Sequence, residues 1–196
     1  MAYTPCVANI AANIAQDCAH PNVGGYTGRG VLIPIADAPV IVTDADNPRI
    51  LKSITPASQK KFIAIDNVWA EAFTGSNVAS SADAGRMLYN KTVSFRIPLR
   101  GAGVSKDIVE PLAQAPLGFI VVAEKKDKVG DGSYEVVGYL QGLQVNADGT
   151  SRNEYENGGD TVITMSCAEQ WYECTLFDTD YATTKEAFEA MLDATI

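Results

Sequence analysis

The residues that could do chemistry are few and badly placed for it. There is a single histidine, His20, in the stretch Asp-Cys-Ala-His-Pro. A thiol nucleophile needs a base beside it, so Cys18–His20 or Cys6–His20 is the pair to consider. Nothing else in the stretch supports either pair, and a histidine closing a short helix is already favoured by the helix dipole. The four cysteines, Cys6, Cys18, Cys167 and Cys174, are separated by 12 and 7 residues with a wide gap between. Zinc sites are built from closely spaced pairs, so the expectation is four free, mostly buried thiols. No His-Glu-x-x-His and no Asp-rich calcium loop is present. Asp127 to Gly132 is acidic but lacks the EF-hand spacing and its terminal glutamate, and reads as a hairpin turn.

Gly24 to Gly30 (Gly-Gly-Tyr-Thr-Gly-Arg-Gly) has the glycines of a phosphate loop. It lacks the Gly-Lys-Ser/Thr and the following helix that would aim N–H groups at a phosphate. It reads as the flexible lead into a strand. The 24 acidic residues offer no carboxylate pair that spacing alone could select. Trp69, Trp171 and Tyr172 could stack on a sugar or a base, although such residues more often anchor a core or an interface. The reading is a protein with no catalytic residue, no cofactor and no metal.

The elements that carry these residues follow from the hydrophobic pattern. The chain has 196 residues, 46% apolar and 20% charged, which suits one domain with a true core. Val7, Ile10, Ala11 and Ile14 form one stripe, predicting a short helix over Val7 to Gln16. Short β-branched runs then predict strands over 29–35, 40–43, 49–54 and 60–69. The stretch 71–87 is small and polar and reads as a long loop. Residues 91–101 alternate, with Val93, Phe95 and Ile97 on one face. Residues 105–116 read as a helix with Ser105 as N-cap and a kink at Pro111. A hairpin is expected over 118–140, turning at 128–133. Strands follow at 160–167 and 171–178. A closing helix docks through Phe188, Met191 and Leu192, capped by a Thr183–Glu186 box.

Between the second strand of that hairpin and the strand at 160–167 lies a soft polar finger, 146–159. The fold class expected is mainly β, a β-sandwich or distorted barrel with two or three short peripheral helices. It forms a single domain over 1–196 with long loops at about 74–86 and 146–159. No apolar run approaches the length that crosses a bilayer as a helix, and the first residues lack the pattern of a signal peptide. Production in the cytoplasm is the expectation. The net charge is −9, with acids spread along the chain. That argues against a direct grip on DNA, which takes clustered Lys and Arg, but suits a surface that DNA slides past.

The C-terminal third resembles tail-tube proteins of bacteriophages and prophages. The matching residues are Val136, Gly138, Gly142 and Leu143, then Val162 to Ser166, then Thr184 to Leu192. Residues 14–37 also resemble phage structural proteins carried by gut bacteria of the Bacteroides type. The resemblance implies a sandwich or barrel with a flanking helix, a virion location in the tail, and assembly into rings, commonly hexameric, that stack into a hollow tube. The partners implied are other copies of the chain, other tail proteins, and DNA touched non-specifically in the lumen, with no membrane. On that reading the finger 146–159 and the segment 74–86 are soft arms ordered by a neighbour, and deleting 148–158 leaves a folded monomer that forms no tubes. The alternatives are another virion part (capsid decoration protein, head–tail connector or tail terminator), an enzyme with a lid loop, and a carbohydrate-binding sandwich.

Overall fold

The computed structural model describes residues 24–66, 73–83, 86–99, 101–128, 130–152, 158–170 and 172–194, of which 73–83, 86–88, 169 and 170 are described by backbone alone. The helix expected over 7–16, and with it Cys6, Cys18 and His20, lies outside the described residues. So do Trp69 and Trp171.

The protein is mainly β, as expected. Strands β1 (Tyr26–Pro34), β2 (Val40–Thr43), β3 (Ile50–Thr55), β4 (Ile63–Asp66), β7 (Phe119–Lys125), β8 (Tyr134–Val137) and β11 (Cys174–Leu176) form a seven-stranded sheet. Its order is β2-β3-β11-β8-β7-β1-β4, and it curls into half a barrel. Strands β5 (Phe73–Asp83), β6 (Arg86–Ile97), β9 (Gln144–Arg152) and β10 (Thr161–Gln170) form a four-stranded sheet in the order β5-β6-β10-β9. All pairs are antiparallel except β3 with β11. The hairpin expected over 118–140 is β7–β8, with Val121 opposite Val137.

The central strands are buried on both faces, and their composition shows why. β1 contains Gly-Val-Leu-Ile-Pro and β7 Phe-Ile-Val-Val-Ala, continuous apolar runs rather than alternating ones. Leu32, Val121 and Ala123 face the four-stranded sheet, against Val93, Phe95, Ile97, Ile163 and Met165. Val31, Ile33, Ile120 and Val122 face the other way, against Phe188 and Met191 of the final helix. The result is three layers with two apolar seams.

The helical pieces correct two expectations. α1 (Ala102–Val104), a π turn (Ser105–Val109) and α2 (Glu110–Gln114) run on without a break. Ser105 is therefore inside the helical run, not its N-cap; Gly101 precedes the first turn. Pro111 has no N–H to give, and the chain absorbs this through the widened turn just before it, where Glu110 N–H bonds Ser105 O. The final helix, α3 (Tyr181–Asp193), is capped by Asp180, whose side chain accepts from Thr183 N–H at 2.8 Å. The expected Thr183–Glu186 box starts three residues too late, because Asp180 is an equally good cap that comes first.

Two expected loops are strands. The segment 71–87 is mostly β5 and the start of β6, paired from Phe73 opposite Phe95 to Asp83 opposite Arg86. Its small Thr, Ser, Val and Ala residues lack hydrophobic alternation but violate nothing a strand requires. Residues 146–152 of the finger 146–159 belong to β9, with Thr150, Ser151 and Arg152 opposite Ile163, Val162 and Thr161, while 153–157 lie outside the described residues. A wide bulge hides this strand from the period-2 pattern: Asn146 to Gly149 stand opposite Thr164 alone. Ser166 Oγ donates to Asn146 Oδ1 across it. Deleting 148–158 would thus remove ladder pairs of the sandwich itself, not only a soft arm. The strand expected over 171–178 is shorter, three residues of β11.

Candidate assembly surface

The ends of the sheets position the surface that can take a partner. Among the described residues, β2 and β4 close the two ends of the seven-stranded sheet, and β5 and β9 those of the four-stranded one. Among those residues, each leaves one row of backbone N–H and C=O groups without a strand beside it. Edges of this kind template pairing with another chain unless they are blunted. The β2 edge is not blunted by charge. Its Val40 and Val42 are 57% and 48% exposed, while Ile41 between them packs under α3.

At the opposite end lies a cavity of about 510 Å³. All four residues of β4 line it, with Leu32, Phe95, Ile97, Leu99, Ile108, Pro111, Leu112 and Phe119. Arg96 also lines this space, and its Nε is buried without a hydrogen-bond partner among the described residues.

A partly buried polar cluster lies elsewhere, between β1, β7, β8 and α3. Arg29 grips Glu189 through two bonds of 2.9 and 2.6 Å and lies 5.8 Å from the centre of the Phe188 ring. Glu124, 3% exposed, accepts from Thr27 Oγ1 at 2.7 Å and from Tyr134 OH at 3.4 Å, with Arg29 3.8 Å away. Burial first, then the Glu124 charge, pushes the Tyr134 phenol well above its usual range. The hydrogen bond from Arg29 holds the Glu189 carboxyl below its usual range. An acid, a phenol and a guanidinium together could do proton chemistry. Here they hold one another and fasten α3 to the sheet. Spacing contained the signal: Arg29, Val31 and Ile33 share one parity, as do Ile120, Val122 and Glu124, so both charges point at α3.

The residues singled out by sequence are scattered. Cys167 is in the seam between the sheets and Cys174 in the seam under α3, both free and buried. Burial raises both thiols, Cys174 to about 11, so both are protonated and inert at neutral pH. This matches the expectation for these two. Tyr172 packs on the α3 seam with Arg49 5.4 Å from its ring centre, a core anchor. Gly130–Gly132 is a short 3-10 turn, and among the described residues no His/Cys/Asp/Glu group is arranged to hold a metal. Gly24 to Gly30 runs directly into β1. Lys91, 2% exposed, ends the inward row of β6 and reaches Glu173 at 3.7 Å.

No helix among the described residues is long and apolar enough to cross a membrane. No protein-family model, curated protein or solved structure matches this chain.

Proposed function

We propose that this chain is a structural subunit of a virion, a tail-tube protein whose copies join into rings that stack into a conduit for DNA. One observation supports it above the rest: among the described residues both ends of the seven-stranded sheet are open, and one of them exposes apolar side chains where a solitary sandwich would carry charge. The sheet edge is then the product of selection for a partner rather than a hazard. The long β5–β6 hairpin suits a subunit that reaches its neighbours, and a net charge of −9 suits a wall that repels DNA. The partners on this reading are further copies and the tail proteins at the tube ends.

Negative-stain electron microscopy across a concentration series tests this. Rings or hollow tubes of uniform width are the expected outcome. Particles that stay monomeric at every concentration would remove the tail tube and leave the non-assembling alternatives.

A further inference from the structure

The two ends of the seven-stranded sheet are complementary to one another. We propose that β2 of one copy pairs antiparallel with β4 of the next, and that its Val40 and Val42 seat over the cavity beside β4. This rests on the assembly reading above and names its contact.

Four observations lead to this contact. First, β2 and β4 are both four residues long, and each is the terminal strand of the same sheet among the described residues. Second, the strand directions match. Following the pairing from β4 through β1, β7, β8, β11 and β3, β2 ends up running opposite to β4. A second copy that continues the sheet therefore brings an antiparallel neighbour.

Third, the faces match. Ile41 lies on the α3 face, opposite Ile54, so Val40 and Val42 lie on the other face. Ile63 and Ile65 lie on that same other face, in the seam with the four-stranded sheet. Residues opposite one another on paired strands share a face, so parity sets the register. The central alignment is Val42 opposite Ile63 and Val40 opposite Ile65. Within one copy no second sheet of the described residues covers the valines, and beside β4 of the next copy the walls are already in place.

Fourth, the cavity has the chemistry of the occupant. Its walls are mostly aliphatic and aromatic, with Asp66, Arg96 and Asp107 the charged residues among them, and they run along the whole of β4. The contact is head-to-tail, using two different patches, so it propagates into a ring if the rotation closes and a filament if it does not. A pair of β2 strands meeting each other would make only dimers.

The test uses the full chain with Cys6→Ser and Cys18→Ser as background. Val42→Cys and Ile63→Cys proteins are made separately, mixed and oxidised, and resolved on a non-reducing gel. A covalent dimer in the mixture, absent from Val42→Cys alone, is the expected result. In parallel, Val40→Lys/Val42→Lys raises the concentration needed for assembly by about tenfold or more, with an unchanged circular dichroism spectrum. If the wild type assembles while the mixture gives no cross-link and the lysine variant assembles like wild type, the β2–β4 contact is wrong and the assembly reading stands. If the wild type stays monomeric and no cross-link forms, both fail together. Should the lysine variant misfold, the cross-link alone decides.

Discussion

Gly138 and Gly142 let the chain leave one sheet and join the other. Between β8 and β9 the backbone makes a tight loop, Gly142 N–H bonding Gly138 O at 2.8 Å. Leu143 then exchanges two hydrogen bonds with Phe119, at 2.8 and 2.9 Å, and buries its side chain completely. Both glycines have positive φ, 83° and 76°. A Cβ on Gly142 would sit 2.2 Å from Leu117 O, and one on Gly138 2.6 Å from Phe119 O. Two independent objections thus forbid a side chain: the left-handed backbone and a carbonyl that cannot yield. Gly142→Ala is expected to cost about 2–5 kcal/mol, the sum of a left-handed backbone and overpacking. Urea denaturation measures it, and a loss under about 1 kcal/mol would show that the loop relaxes freely. The Val-x-Gly-x-x-x-Gly-Leu spacing that prompted the tail-tube resemblance is thereby explained as a sheet-to-sheet crossing. Any sandwich that crosses this way has use for it.

At the scale of elements, α3 shows how a cap and a staple divide their work. Asp180 starts the helix, and the Thr183 N–H and hydroxyl bonding to it hold its carboxyl below the usual aspartate range. Thr184 Oγ1 accepts from Asp178 N–H and donates to Asp180 O, closing the turn before the helix. Glu186 is exposed and takes no part in the cap. Asp180→Ala should therefore lower the melting temperature, while Glu186→Ala leaves it where it was. The reverse ranking would restore the Thr183–Glu186 box. Phe188 and Met191 then seat the helix, and Arg29–Glu189 pins its outer side.

At the scale of the whole molecule, those pairs set how stability responds to pH. Glu189, Asp180 and Asp44 all have carboxyls held low, by Arg29, by the Thr183 N–H and by Lys52 respectively. A depressed carboxyl contributes stability above its unfolded value and loses it as pH falls through the folded one. Stability should hold down to the ordinary carboxylate range, about pH 4, and fall below it. Cys167, Cys174 and Tyr134 act with the opposite sign. Their raised values favour the folded state at neutral pH, and that contribution is lost as pH rises through and beyond the usual thiol range. Glu189→Gln should flatten part of the acid limb and leave the alkaline limb intact, as read from melting curves between pH 3 and pH 10. An unchanged acid limb would mean that Arg29 gains nothing from Glu189.

The sequence by itself determined the fold class, because β1, β7 and β10 carry their burial in their own composition. Gly-Val-Leu-Ile and Phe-Ile-Val-Val are short, β-branched apolar runs with the composition of strands covered on both sides, and Thr-Val-Ile-Thr-Met-Ser alternates like one covered on a single side. Burial of this kind is local and periodic, so one strand reveals it without its neighbours. The free, buried thiols at Cys167 and Cys174 were legible on another ground, a cysteine spacing that fits no zinc site. What only the tertiary structure decided is everything that depends on pairing. β5 and the second half of β9 have too little apolar alternation to announce themselves, and they are strands because β6 and β10 supply hydrogen bonds. The Arg29–Glu124–Glu189 cluster joins residues up to 160 apart in the chain. Val40 and Val42 read as any strand's valines until the sheet order leaves them at its end. An edge is a property of strand order, and strand order is fixed by long-range contacts that no local spacing encodes.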